Sequence, residues 1–175
     1  MRERTIRVLD STPLIGLASS GVLERAIVRG RNYLITPEVQ SEVVEAGRRG
    51  GHPDSERIHA LVESKVIAVR TAADDELIDR ILVNPRLSRA DASTIALAVQ
   101  EKARLFTDEK DMREVGKRLG VRLGGSLSLL AEAVDEGRIS SVEAVSAVER
   151  MIAAGWYCSP PLFKRFADVM ALRSR

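Results

Sequence analysis

The sequence predicts an α/β/α sandwich: three layers, with a central parallel sheet covered by helices on both faces and extra helices at the C-terminal end. Three observations point there. Short apolar β-like runs alternate along the chain with segments of helical periodicity, and strands separated by helices join through right-handed parallel crossovers. The length, 175 residues, suits one domain with a real core. Hydrophobic residues at 45% and charged residues at 30% are the proportions of a globular chain and not of a disordered one.

Taken in order, Thr5 to Leu9 reads as the first strand, Pro13 to Ser19 as a helix ended near Gly21, and Val22 to Val28 as a second short helix. "NYLIT" at 32–36 is the second strand. Thr36-Pro37 then supplies an N-cap followed by proline at the first helical position, where its missing N–H is no loss. Gly47 and Gly50-Gly51 stop that helix. Asp54 to Ser64 is helical, with Ile58, Leu61 and Val62 on one side, and "VIAVR" at 66–70 is the third strand. Asp75 to Val83 carries the apolar stripe Leu77, Ile78, Ile81 and Leu82 until Asn84-Pro85 breaks it. Ser88 caps a long central helix, Arg89 to Lys102, and "ARLFT" at 103–107 is the fourth strand. A helix over Lys110 to Leu119, a short strand "VRL" and the turn Gly124-Gly125 follow. Three further helices close the chain: Leu127 to Glu136, one opened by the capping box Ser140-Ser141-Val142-Glu143, and one after Pro160-Pro161. No repeat, low-complexity tract or linker interrupts the pattern.

The bulk chemistry excludes several classes. The single cysteine, Cys158, cannot form an internal disulfide, and with His52 and His59 it makes a poor zinc set. The charged N-terminus and the lack of any apolar run near the roughly 20 residues needed to cross a bilayer predict a cytoplasmic protein without a membrane partner. Net charge is only +2, but arginines gather at Arg25, Arg29 and Arg31 and at Arg48-Arg49, which permits contact with phosphate. Aromatic residues at 3% argue against a base-stacking sheet.

In parallel α/β sheets the functional crevice lies beyond the carboxyl ends of the strands. Asp10 ends the first strand, where a buried carboxylate is costly unless something requires it. Asp108 follows "LFT" at the end of the fourth. Asp91 lies in the first turn of the long helix, and Glu42 sits beside the inward-facing Val39 and Val43. Four carboxylates converging in one crevice raise one another's pKa unless a counter-charge is present. Mg²⁺ or Mn²⁺, with a preference for oxygen ligands, would resolve that conflict, and the chemistry it supports is phosphodiester hydrolysis. Each acid also has a purely structural reading. Asp91 stands three residues after Ser88 and completes a capping box. Glu42 is a solvated helix residue by default, and Asp108 with Glu109 and Asp111 is an acid-rich helix start.

The segments "VLDSTPLIGLA", "TPEVQSEVVEAG", "LSRADASTIALA" and "LFTDEKD" resemble, in order, the acidic motifs of the PIN-domain ribonuclease family, whose VapC-like members are toxins of toxin-antitoxin pairs. The tail, from "VRLGGSLSLLAEAVDEGRISSVEAV" through "MIAAGWYCSPPLFKRF", resembles a prokaryotic PIN-like subgroup with C-terminal helices. The resemblance implies a nuclease domain over residues 1–137 and, in the same domain, a helical extension over 138–175 that serves as a cover or a dimer surface. It implies Mg²⁺- or Mn²⁺-dependent cleavage of RNA, commonly by a homodimer, with an antitoxin protein as partner where the member is a toxin. By position Asp10, Glu42 and Asp91 match three of the family's metal-site acids, and Ser11 matches the hydroxyl that supports the first. Asp108 is favoured as the last acid, being nearest the strand end, with Glu109 next and Asp111 also available. Met112 stands where many members carry phenylalanine, and "GGSLS" replaces a more usual Gly-Thr-Leu.

Competing folds fit less well. A receiver domain needs an aspartate at the tip of the third strand, where Thr71 stands, and a lysine after the fifth. A haloacid-dehalogenase-type phosphatase needs an acid two residues after its nucleophile, where Thr12 stands. A PIN-like protein that binds or assembles RNA without cutting it stays open, and metal-dependent cleavage lost in Asp10→Asn separates the two. His52 and His59 read as surface residues, and the sole tryptophan, Trp156, reads as a loop plug or dimer contact. The arginines at 25–31 and 48–49 could form a basic rim that guides RNA to the acids.

Overall fold

The structure, a computed structural model, describes residues 5–47 and 53–173. Five strands form one sheet: β1 (Arg7–Leu9), β2 (Tyr33–Ile35), β3 (Ile67–Val69), β4 (Arg104–Phe106) and β5 (Arg122–Gly124). Their spatial order is β3-β2-β1-β4-β5, and every neighbouring pair is parallel. The helices are α1 (Ser11–Ser19), α2 (Leu23–Ala26), α3 (Pro37–Gln40), α4 (Pro53–Glu63), α5 (Asp75–Leu82), α6 (Arg89–Gln100), α7 (Lys110–Arg118), α8 (Ser126–Asp135), α9 (Ser141–Ala153) and α10 (Pro160–Arg173). α3 widens into a π-helical stretch over Ser41–Ala46. The stop predicted at Gly50-Gly51 lies outside the described residues.

β2 is apolar and buried throughout, and β1 and β4 each follow a leading arginine with two buried apolar residues, because both faces of these central strands are covered, while the edge strands β3 and β5 are partly exposed. Alternate residues divide between two cores. Val8, Leu34 and Leu105 pack with α5, α6 and α7, while Leu9, Tyr33, Ile35, Ile67 and Phe106 pack with α1, α2, α4 and the C-terminal helices. α6 is buried along Ala92–Ala98, which is why its apolar residues show no single stripe. The caps expected from sequence are present: Thr36 accepts the Val39 N–H, and Ser88 with Asp91 and Ser140 with Glu143 form reciprocal capping boxes. Met151, Phe166 and Met170 bury against the same core as Leu9 and Phe106, so the helices after Gly137 complete the first face of the sheet.

Chain order explains where a site can form. From β1 the chain winds outward through β2 and β3, with its helices on one face. It then returns past β1 to β4 and β5, with its helices on the other. β1 and β4 are therefore neighbours across the topological switch point, where a crevice opens at the carboxyl ends of the strands. Among the described residues no helix is long and apolar enough to cross a membrane.

Candidate functional site

Asp10 stands in that crevice. The register sets Leu9 beside Phe106, and the Asp10 N–H donates to the Phe106 carbonyl at 3.0 Å, carrying the β1–β4 ladder one residue past the strands. Asp10 is also the N-cap of α1, and its Oδ1 accepts the Ser11 N–H at 2.7 Å. Its Oδ2 accepts from the hydroxyls of Thr12 at 3.0 Å and Thr107 at 2.8 Å. The carboxylate is only 3% exposed, and burial raises its pKa. The Thr107, Ser11 and Thr12 hydrogen bonds pull it back down, and the charge of Asp91 pushes it up again.

A cleft of about 220 Å³ opens above Asp10, and its walls carry the carboxylates of Asp10, Glu42, Asp91, Glu109 and Asp111. They come from four places: the end of β1, the first turn of the π-helical stretch, the first turn of α6, and the β4–α7 junction. Burial raises the pKa of Glu42, and Asp10, Asp91 and Glu109 add to the rise while a Ser11 hydrogen bond opposes it. Glu109 is raised by burial and then by Asp10, Asp91, Asp108 and Asp111. Mutual repulsion is thus a property of the folded site. Arg86 is the one basic residue among the described residues of the lining, and it pairs with Asp111 at 3.4 Å. Asp91 holds the Ser88 N–H at 2.7 Å through Oδ2, so its capping and cleft-lining roles coexist.

Three of the four acids singled out from sequence, Asp10, Glu42 and Asp91, meet in this cleft; Asp108 does not line it. The Asp108 carboxylate turns to the start of α8. It accepts the Ser126 N–H at 2.9 Å, the Ser126 hydroxyl, and the Trp156 indole N–H at 3.1 Å. This approach requires Gly125, since a Cβ there would stand 2.5 Å from Asp108 Oδ1. The acids of the "TDEKD" segment that face the cleft are Glu109 and Asp111. Among the described residues no three acids are grouped tightly enough to form a ready-made metal cage; they are spaced around the cleft instead.

Sequence reasoning passed over Thr107, Thr12, Ser126 and Arg86. Thr107 accepts the Glu109 N–H while donating to Asp10, and so links the two acids. The "LFTD" segment held that signal, a hydroxyl at a buried strand end beside an acid. Of the arginines expected at a basic rim, those at 25–31 are placed elsewhere. Arg25 and Arg31 pair with Glu143 and Glu136, and Arg29 donates to the Ser64 carbonyl; all three lie before β2, at the opposite end of the sheet from the cleft. Arg48, Arg49 and His52 lie outside the described residues. His59 is half-buried with an unpartnered Nδ1, and is not the open surface residue its sequence suggested. Trp156 packs against the core as a plug, and in addition its indole reaches Asp108.

A doubly wound parallel sheet with carboxylates gathered at its switch point defines an α/β domain with an acidic site. The model of one family, described as PIN domain, matches residues 6–171, and the chain belongs to that family. No curated protein matches the sequence.

Proposed function

We propose that the protein is a divalent-metal-dependent endoribonuclease whose metal is held by Asp10, Glu42, Asp91 and Glu109. The observation that carries this reading is the meeting of acids from separate elements in one cleft, where burial and neighbouring carboxylates raise the pKa of Asp10, Glu42 and Glu109 and Arg86 is the one basic residue among the described lining. The donor set, carboxylate oxygens with hydroxyls, fits a hard cation. Mg²⁺ or Mn²⁺ keeps several of its waters, so these acids need not form a closed cage around it, and the cleft has room for those waters. When bound, the ion would polarise the scissile phosphate and lower the pKa of an attacking water.

The chain's own groups have distinct tasks. Thr107, Ser11 and Thr12 hold the Asp10 carboxylate in one orientation. Arg86, with a side chain 76% exposed, is placed to meet a phosphate oxygen at the mouth of the cleft. Asp108 is a positioning residue, tying β4 to α8 and to Trp156. The test is cleavage of labelled RNA with Mn²⁺, with Mg²⁺ and with EDTA, alongside calorimetric titration of Mn²⁺. Asp10→Asn should lower both activity and metal affinity by about 100-fold or more, beyond what loss of an outer-shell partner costs. Cleavage that survives EDTA or Asp10→Asn refutes the reading. RNA binding without cleavage selects the non-catalytic alternative. Growth arrest by wild type and not by Asp10→Asn would extend the reading to a toxin with an antitoxin partner, and light scattering tests the homodimer expected from the family.

A further inference from the structure

We propose that the groove beside the acidic cleft is a nucleotide subsite, which takes one unpaired base and its ribose next to the phosphate at the acids, with the Trp156 indole as stacking surface. This rests on the reading above that the acids face RNA. The groove holds about 640 Å³, within the range of sites that bind small ligands. Thr12 and Glu42 line both spaces, so groove and cleft adjoin, and a strand that crosses these two residues occupies both.

The chemistry of its walls selects the part of a nucleotide that fits. Ile15, 47% exposed, gives apolar surface, with Ile58 and Met151 buried beneath it. No lysine or arginine is among the described lining residues, whereas the carboxylates of Glu42 and Asp54 are. These described walls offer a phosphate no cation. The groove accepts the apolar face of a base while the Asp54 carboxylate accepts from amino and imino N–H groups on the base edge.

Aromatic placement agrees. Of six aromatic residues, Tyr33, Phe106 and Phe166 are buried in the core. Trp156 lines the groove, and Tyr157, next to it in the chain, is 84% exposed. Gly155, with φ +100°, makes the turn that presents this pair, and the bond from the indole N–H to Asp108 fixes the ring by its edge. A base inside a duplex has both faces stacked, so an unpaired strand is the substrate.

The experiment uses the full chain as Asp10→Asn with Mn²⁺, titrated into a fluorescein-labelled single-stranded ten-nucleotide RNA pool and into its duplex. Anisotropy reports binding, and emission of the sole tryptophan reports the groove. Single strands should quench that emission with the midpoint seen by anisotropy, and duplex should not. Adding Trp156→Ala should weaken binding about tenfold, the loss of one stacked base. Trp156→Phe, which keeps the ring and loses the indole N–H, should stay within about threefold of the parent. Ile15→Asp, at a position exposed enough to leave folding intact, should weaken binding as Trp156→Ala does. RNA bound without a change in emission, or Trp156→Ala binding as tightly as its parent, overturns the subsite. Trp156→Phe as weak as Trp156→Ala overturns stacking in favour of the hydrogen bond to Asp108. Cleavage by otherwise wild-type Trp156→Ala with unchanged KM removes the subsite and leaves the nuclease reading standing. Quenching by RNA in a wild type that never cleaves removes the nuclease reading and leaves the subsite.

Discussion

Replacing Thr107 with valine isolates the contact on which the Asp10 orientation depends. Thr107 is fully buried, and its hydroxyl donates to Asp10 Oδ2 at 2.8 Å while accepting the Glu109 N–H at 3.1 Å. Valine keeps the branched shape and removes both bonds. The hydrogen bond to an ionised carboxylate contributes about 1.5–3 kcal/mol, and the partly exposed Glu109 N–H can turn to water, so the expected loss is about 2–3 kcal/mol. For a domain of this size each kcal/mol moves Tm by about 2–4 °C, which gives a drop of about 4–12 °C. The assay is urea unfolding followed by circular dichroism in EDTA at pH 7 and pH 4. Thr107 lowers the Asp10 pKa that burial raises, so its loss raises that pKa further. The charge-assisted part of the bond exists only while Asp10 is ionised. The deficit should therefore shrink towards about 1 kcal/mol, the contribution of a neutral bond, as acid protonates Asp10. Equal unfolding midpoints for the two proteins at pH 7, or a deficit unchanged between pH 4 and pH 7, would refute this account.

Two further outcomes separate structural from chemical roles. Ser88→Ala should cost about 1 kcal/mol through the lost cap and leave Mn²⁺ affinity within about threefold, while Asp91→Asn, whose amide oxygen still accepts the Ser88 N–H, should keep most of the stability and weaken Mn²⁺ binding; calorimetry and urea midpoints on both variants decide. Asp10, Glu42 and Glu109 have folded-state pKa values raised above their unfolded ones, so the native state holds extra protons, and the stability they contribute is complete below the ordinary carboxylate range and lost as pH rises through the raised values. Asp10→Asn, with no proton to lose there, should gain on wild type between pH 4 and pH 7 in EDTA, and Mn²⁺ should reverse the gain; a gap that narrows as pH rises would count against the repulsion.

The layers were legible because each rests on local, periodic chemistry. The alternation of strands and helices, the proline after Thr36 and the two Ser-x-x-acid boxes are short-range signals that the tertiary fold did not override. Strand ends shifted by a residue or two, as at β5, which begins at Arg122 and takes in Gly124, because pairing with Phe106 decides the end and not the apolar run. The cluster at Arg25, Arg29 and Arg31 was not legible as lying away from the cleft. Whether a guanidinium faces a substrate or a neighbouring helix depends on which end of the sheet it occupies, and the partners of Arg25 and Arg31 lie more than a hundred residues away in sequence.

Asp108, expected in the cleft, turns away from it for a reason that the sequence itself contains. Side chains alternate across a strand with period two, and that alternation continues while the backbone stays extended. Leu105 packs on the α6 face and Phe106 on the α8 face. Thr107 then returns to the α6 side beside Asp10 and Met112, and Asp108 goes to the α8 side and Ser126. Glu109, still extended at φ −74°, ψ 123°, comes back to the cleft with Asp91 and Arg86. β1 obeys the same parity, with Val8 on the α6 face, Leu9 on the other, and Asp10 facing the cleft. Distance from the strand end favours Asp108, but parity favours Glu109, and parity decides because a one-residue step reverses the face of the sheet on which a carboxylate lies. Asp108 then has a role that Glu109 could not take. On the α8 side it joins Ser126 and Trp156, so the β4 end, the first turn of α8 and the α9–α10 loop meet at one carboxylate beside the cleft.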